Sequence, residues 1–411
     1  MSDTPPKSKP APCRPSSIAA ATVTDLERRR ELGQFFTSPE VAGFIWDLLE
    51  VIYGRRFPSS TRVIDPACGE GVFLRLAHER GGLPAGNLFG ADIDATLVAG
   101  WQHDPLLRGA NLHPGNGLLD EPARGIEEGA FDVVAGNPPF SGRGLRDLLR
   151  LLEEPETARP EEQDFFDDAC LKEGPAPAWA PLSRQARAEL ERLVRTLSRY
   201  SCWRLEAEEE FEAPDEKADA APGELFAPAA LADRRRLTAS DYEQAARLIA
   251  RWPQDRPLDP SRPEVRDTIR RLASTAIEVV FTERFVRLAK PGGLIAVIVP
   301  ESIVASDRLG PFRIWLLSKM DLLASVSLPP KIFTGVGANA KTSVVFARRR
   351  VQDQPDGWYS REALDRLPEE DDPIFMVAPR LDARGFSHAS YLERVLADAR
   401  RERERFWPDP T

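Results

Sequence analysis

Apolar positions recur along this chain in two periods. Val41, Phe44, Ile45, Leu48, Leu49 and Ile52 fall at helical spacing, which predicts one helix face packed on a core. Ser38 is a natural N-cap for that helix, Pro39 fits its first position and Glu40 suits its first turn. Short apolar runs follow, each bounded by turn residues: Val63-Ile64-Asp65, Asn87 to Gly90, Phe131 to Ala135 and Leu294 to Val299. Continuous rather than alternating, they read as strands buried on both faces, as in parallel sheets. A glycine-rich turn, Cys68-Gly69-Glu70-Gly71, leads into a helix near Val72. Ile277, Phe281, Phe285 and Leu288 line a later helix that Lys290-Pro291-Gly292-Gly293 should stop. A helix over Pro311 to Met320, a strand over Leu322 to Leu328 and a last strand over Thr342 to Ala347 complete the pattern. Alternating strands and helices predict a doubly wound α/β sheet. Its ligand edge would be where the strands end in polar tips: Asp65, Ala91-Asp92-Ile93, Gly115-Asn116-Gly117 and Gly136-Asn137.

The alternation breaks between residues 146 and 267. Ser183 to Tyr200 carries a helical stripe, Ala207 to Pro228 is acidic and rich in Ala and Pro, and Ser240-Asp241-Tyr242-Glu243 reads as a capping box. That box would open a short helix ending near Trp252. The chain thus divides into a disordered tail (1–22), a split α/β domain (23–145 and 268–350), a mostly helical acidic insertion (146–267) and an extension (351–411). Asp25 to Glu31 reads as a short helix and Arg384 to Arg405 as a charged, solvated stretch.

Composition narrows the function classes. In 411 residues there is no apolar run near twenty, so no membrane span or membrane partner is expected. Cys13, Cys68, Cys170 and Cys202 are scattered, with no metal-ligand spacing. This points to a reducing cytoplasm and no metal site. Net charge is −10, but the stretch from Leu151 to Pro260 holds 25 Asp/Glu against 15 Lys/Arg, so it carries the whole excess. As a block of negative charge it would repel phosphates, which favours a protein partner, a gate or a plain spacer over DNA contact. The remainder is neutral and leaves a nucleic-acid partner open.

The densest chemistry is Asn137-Pro138-Pro139-Phe140. Two prolines fix φ and remove backbone donors, so the Asn137 side-chain oxygen and the Pro138 carbonyl can converge on one planar amine. Phe140 offers a stacking face. A proline turn after an edge strand is the bland alternative. Gly69 and Gly71 permit close backbone approach of a ligand, and Asp65 beside them favours a cationic or amine-bearing one. Asp92, at the end of the second strand, suits ribose hydroxyls. A near-match to a phosphate-binding loop at Gly335 to Thr342 is set aside, because Ser343 to Phe346 continues as a strand where that motif needs a helix.

Asp65-Pro66-Ala67-Cys68-Gly69-Glu70-Gly71 followed downstream by Asn137-Pro138-Pro139-Phe140 resembles the S-adenosylmethionine-dependent DNA adenine-N6 methyltransferases. The modification subunits of type I and related restriction-modification or phage-defence systems are the nearest likeness. Gly33-Gln34-Phe35-Phe36-Thr37-Ser38-Pro39 and Phe333-Thr334-Gly335-Val336-Gly337 look like that family's first and late motifs. The resemblance implies a Rossmann-like class I sheet, mostly parallel with its last strand antiparallel, and S-adenosyl-L-methionine as cofactor. It implies Phe36, Thr37, Asp65, Ala67, Gly69, Gly71, Asp92, Ile93, Asn116 and Asn137 around the cofactor. Asn116 stands where the family usually has Asp; an amide oxygen can still accept the bond from the cofactor's adenine. Asn137, Pro138, Pro139 and Phe140 would carry catalysis, with Phe140 and Phe333 gripping the base. Double-stranded DNA, and a separate specificity or restriction subunit, are the implied partners. Two alternatives stay open: an N-P-P-[YF] methyltransferase acting on protein glutamine or RNA, and a subunit that binds cofactor or DNA without turnover.

Overall fold

A computed structural model of the chain describes residues 37–140, 184–205, 239–259, 262–329, 332, 341–355, 373–379 and 387–408. Phe36, Phe333, the Asp25–Glu31 segment and the tail lie outside these residues, as do much of 146–267 and most of 335–342.

Helix α1 (Pro39–Tyr53) opens the described chain; the Ser38 hydroxyl accepts from the Val41 N–H at 3.3 Å, the cap the sequence predicts. Then follow β1 (Val63–Asp65), α2 (Val72–Glu79), β2 (Leu88–Asp92), α3 (Val98–His103), β3 (Asn111–Pro114) and β4 (Phe131–Gly136). The intervening stretch contributes α4 (Arg184–Leu197), α5 (Cys202–Leu205), α6 (Ala239–Arg251) and α7 (Pro263–Ser274). The α/β pattern resumes with α8 (Ile277–Leu288), β5 (Ala289–Pro300), α9 (Glu301–Ala305), α10 (Gly310–Lys319), β6 (Met320–Ser327) and β7 (Thr342–Arg349). Finally come β8 (Phe375–Val377), α11 (His388–Arg401) and α12 (Arg403–Phe406).

The eight strands form one mixed sheet in the order β3-β2-β1-β4-β5-β7-β6-β8. All described pairings are parallel except the two made by β7, which is the last strand of the predicted pattern. The winding direction reverses between β1 and β4, the place where open α/β sheets bind ligands. Alternate residues feed two cores. Ile64, Val134, Ile295, Val297 and Val299 face α8 and the helices of the intervening stretch. Val63, Val133, Ala135, Leu294, Ala296 and Ile298 face α1, α2 and α11.

Three expectations need correction, and one helix had none. Ser240 lies inside α6, which begins at Ala239, so it is not the cap. Helix α7 was not anticipated; its apolar positions are diluted by arginines. Lys290–Gly293 does not separate helix from strand: β5 already starts at Ala289, and the register against β4 shifts there, with Gly292 at φ 80°. The 384–405 stretch is not wholly solvated either. Tyr391, Leu392, Val395, Leu396 and Ala399 bury one face of α11 against α1 and the sheet. The Tyr391 hydroxyl donates to the Ser327 carbonyl at 2.8 Å, and Arg403 Nε donates to the Val51 carbonyl at 3.2 Å. Replacing Leu392 by Ala should therefore lower unfolding stability by about 2–5 kcal/mol. Glu393→Ala, one residue on and exposed, should stay within about 0.5 kcal/mol. Urea titration of both variants checks this.

Candidate functional site

Parallel pairing of β3, β2, β1 and β4 brings their C-terminal ends side by side, so Asn116, Asp92, Asp65 and Asn137 follow one another along a single edge. Beneath β1 lies a cavity of about 90 Å³ lined by Thr37, Asp65, Ala67, Gly69 and Asn137. All five were singled out from sequence. Pro39, Cys68, Glu70, Val72, Phe73 and Arg75 complete the lining and were not. Gly71, Asp92, Ile93 and Asn116 stand on the same edge without lining this cavity. Pro138 is buried, and Pro139 and Phe140 are half-buried, Phe140 against the second core.

Asp65 is the electrostatic centre. Its side chain is 1 % exposed, and one carboxyl oxygen accepts the Ala67 N–H at 3.0 Å. Burial, which outweighs that hydrogen bond and is reinforced by Asp92, pushes its pKa up to about 8. At neutral pH this acid is mostly uncharged. Gly136 makes the position possible: a Cβ there would stand 2.4 Å from the Asp65 Oδ1. The neighbouring Cys68 thiol is also pushed up, first by burial and then by Asp92 and Asp65, so it is a packed thiol and not a nucleophile.

Asp92 ties the glycine turn to β2. Its Oδ2 accepts the Gly69 N–H at 2.8 Å and its Oδ1 the Asp94 N–H at 3.0 Å. Gly69 (φ 51°) and Gly71 (φ 79°) both need left-handed backbone, and Gly71 opens α2. The Trp101 indole N–H donates to the Gly69 carbonyl at 2.8 Å, a clamp with no signal in the sequence.

Asn116 is 5 % exposed. The oxygen that sequence reasoning gives to an adenine amine already accepts the Leu118 N–H at 3.1 Å. Its buried amide nitrogen, a donor, has no partner among the described residues, and neither does the Thr37 hydroxyl. Two orphaned buried polar groups, Asn116 on the strand edge and Thr37 just before α1, together with the neutralised acid at the end of β1, fit a ligand bearing hydroxyls, a purine and a positive charge, as S-adenosylmethionine does.

Arg284, on α8, was missed as well. It has no exposed surface, and its guanidinium donates to the Gly117 carbonyl (2.9 Å), the Leu119 carbonyl (2.8 Å) and Asp120 (2.7 Å). It thereby fixes the loop that carries Asn116. Its signal is a charge seven residues after Ile277, on a face otherwise apolar.

The pKa of Asp65 gives a prediction for stability. The folded value, about 8, lies above the ordinary carboxylate value near 4 that holds in the unfolded chain. Between those values the folded state holds the extra proton, so Asp65 costs stability progressively as pH rises. Asp65→Asn keeps the acceptor for the Ala67 N–H without the ionisation. Its melting temperature should gain on the wild type from about pH 4 upward and level off above about pH 8, measured by scanning calorimetry across that range.

Among solved structures, the chain resembles a protein from Listeria monocytogenes proposed as a class I S-adenosylmethionine-dependent methyltransferase. Identity is 13%, coverage is 93% of this chain and 76% of that one, and the TM-score is 0.45. It also resembles a modification subunit of a proposed type I restriction enzyme from Vibrio vulnificus YJ016 (16% identity, 81% and 51% coverage, TM-score 0.39). A third is the type I restriction-modification methyltransferase subunit from Streptococcus thermophilus (15% identity, 89% and 53% coverage, TM-score 0.39). The chain spans about half the length of these two type I subunits. Residues 24–167 match the N-6 DNA Methylase family, a span that holds every predicted site residue except Phe333.

Proposed function

We propose that this protein transfers a methyl group from S-adenosyl-L-methionine to the N6 amine of an adenine flipped out of duplex DNA. The role would be that of a modification component in a restriction-modification or related defence system. The observation that carries this reading is the shared cavity: Asn137 lines the same 90 Å³ space as Thr37, Asp65 and Gly69. An amide that meets a target amine thus stands beside a pocket suited to the methyl donor. When bound, S-adenosylmethionine supplies an electrophilic methyl group on a sulfonium.

The chain's own residues account for the rest. Asp65 and Thr37 hold the methionine end, and Asp92 takes the ribose hydroxyls. The Asn116 loop, fastened by Arg284, meets the purine. An adenine in a duplex is out of reach, so it must leave the stack at a cost of a few kcal/mol. Stacking on Phe140 returns roughly 1–3 kcal/mol, and Phe333, outside the described residues, is assigned the opposite face. The Asn137 oxygen and the Pro138 carbonyl accept both amine hydrogens. That arrangement favours a pyramidal nitrogen and frees its lone pair for in-line attack.

Incubation of the protein with isotopically labelled S-adenosylmethionine and mixed-sequence duplex DNA, followed by nucleoside analysis, tests the reading. N6-methyladenine is the expected product, and Asn137→Ala should reduce its rate by roughly 10²–10³-fold, as loss of one aligned polar contact does elsewhere. Label in protein or RNA, or none anywhere, overturns it. The buried acid adds a second expectation. A cationic ligand favours ionised Asp65, whose pKa in the free protein is about 8. Cofactor binding at pH 7 should release close to one proton, and affinity should rise with pH up to about 8. Calorimetry in buffers of different ionisation enthalpy reads the proton count, and Asp65→Asn should abolish it.

A further inference from the structure

The acidity of the stretch between β4 and α8 is not spread along it. Residues 151–183 hold nine Asp/Glu and two Lys/Arg, and residues 206–238 hold ten and four. The described helical parts, 184–205, 239–259 and 262–274, together hold 13 arginines against eight acids. A negative block inferred from the sum thus contains a basic helical unit.

That unit presents a shaped recess. Arg247 and Arg251 lie one turn apart on the exposed face of α6, Arg262 precedes α7, and the indole of Trp252 lies between them. The recess is built rather than incidental. Arg195 of α4, mostly buried, donates to the carbonyls of Trp252 (3.2 Å), Pro253 (3.3 Å) and Arg256 (2.7 Å). The Trp252 Nε1 donates to the Pro257 carbonyl at 3.2 Å, which fixes the ring. The Arg262 guanidinium lies 5.3 Å from that ring's centre. Arg247, itself exposed, pairs at 3.1 Å with Glu243, which Arg204 also holds, and Glu264 stands 3.9 Å from Arg262; both arginines keep donors turned to solvent that an anion can take. Arg251 has no ion-pair partner among the described residues, and the exposed acid on the adjoining turn is Asp255.

We propose that Arg247, Arg251, Arg262 and Trp252 form a contact site for the phosphate backbone of the DNA duplex flanking the target base. The guanidinium fork matches phosphate geometry in pairs of hydrogen bonds. Side chains four apart on a helix lie about 5–6 Å from each other and so can take separate phosphates. The Trp252 ring, fixed by its bond to Pro257, holds the Arg262 guanidinium over its face and so positions that fork for a phosphate. The site supplies affinity and register without reading sequence. It rests on DNA being the substrate but not on which base or atom is methylated.

The test uses the full chain without cofactor and a fluorescein-labelled 30-base-pair duplex, with anisotropy titrations from 50 to 300 mM KCl. The wild type should bind with a steep salt dependence. Replacing Arg247, Arg251 and Arg262 together by Ala should weaken binding at least tenfold at low salt. The slope of log Kd against log salt should fall by about one for each arginine that meets a phosphate. The triple Lys variant should keep most of the slope. Cofactor affinity and melting temperature should not move, because these side chains are exposed, and in turnover the KM for DNA should rise while kcat holds. An unchanged slope in the Ala variant, no DNA binding by the wild type, or a loss confined to binding of a poly-glutamate peptide overturns the proposal. Wild-type DNA binding that depends on the three arginines, with no methyl transfer to any DNA, would overturn the catalytic reading and leave this site standing.

Discussion

A carboxyl group with almost no contact with water sits where the sheet reverses its winding, and the arrangement of the edge follows from keeping it there. Asp65 needs a neighbour without a side chain, and Gly136 on β4 provides it. It needs a turn that gives it a hydrogen bond and then leaves, and Pro66-Ala67 does so before the chain enters left-handed backbone at Gly69. The floor is equally tight: a Cβ on Gly117 would fall 1.7 Å from the Pro66 carbonyl, so the loop beyond β3 can pack against that turn only as glycine. Two of the conspicuous glycines therefore serve contact between neighbouring segments, and two serve φ. A neutral acid in such a cage is poised for a cation, since the incoming charge offsets the burial that holds the proton on.

The strand edge was legible because its signals are local. A buried parallel strand is a short apolar run, its end is a polar or glycine residue, and each such tip (Asp65, Asp92, Asn116, Asn137) carries its own chemistry within one or two residues. The parts that escaped reading depend on partners far away in the chain. Trp101 reaches Gly69 and Arg284 reaches the 117–120 loop across 32 and about 165 residues respectively, and no period or composition encodes such pairings. The α11 stripe was hidden for another reason: Glu393, Arg394, Asp398, Arg400 and Arg401 are interspersed among its buried positions, so mean polarity masked a pattern that spacing alone would have shown. Summing charge over the whole intervening stretch erased the contrast between its basic helices and its acidic remainder in the same way.

Helix α8 packs on β4 and β5 of the sheet and joins them to α5 of the intervening stretch. Adjacent residues Glu283 and Arg284 are both without exposed surface and point their charges to different places. The Glu283 carboxylate accepts the Ser201 N–H (2.9 Å), the Cys202 N–H (2.8 Å) and the Arg287 Nε–H (2.8 Å), which fastens α5. Arg284 fastens the loop beneath the Asn116 tip. Arg199 and Arg192 of the intervening stretch add contacts to Asp120, Glu128 and Glu121 on that side of the sheet. These helices and the loop are thus joined by hydrogen bonds and ion pairs as well as by Leu118 and Leu119, which share a core with Leu190, Leu193 and Leu197.

Buried charges of this kind are a poor way to gain stability. Desolvating a guanidinium or a carboxylate costs several kcal/mol, and an apolar side chain of the same volume often does as well or better. What an apolar replacement lacks is direction. A leucine at 284 would fill the space yet leave the Gly117 and Leu119 carbonyls without donors, and the loop would then have more than one way to lie. The fork of Arg284 allows one, because three acceptors at fixed positions must be met by one rigid plane. The energetic cost of burying that group is understandable if the loop must stand in one place before a purine arrives, since a site ordered in advance loses less entropy when it binds. The same reasoning applies to Trp101 on the Gly69 carbonyl and Asp92 on the Gly69 N–H: both polar ends of that peptide segment are held, which leaves the glycine turn little freedom to close over the cavity it shapes.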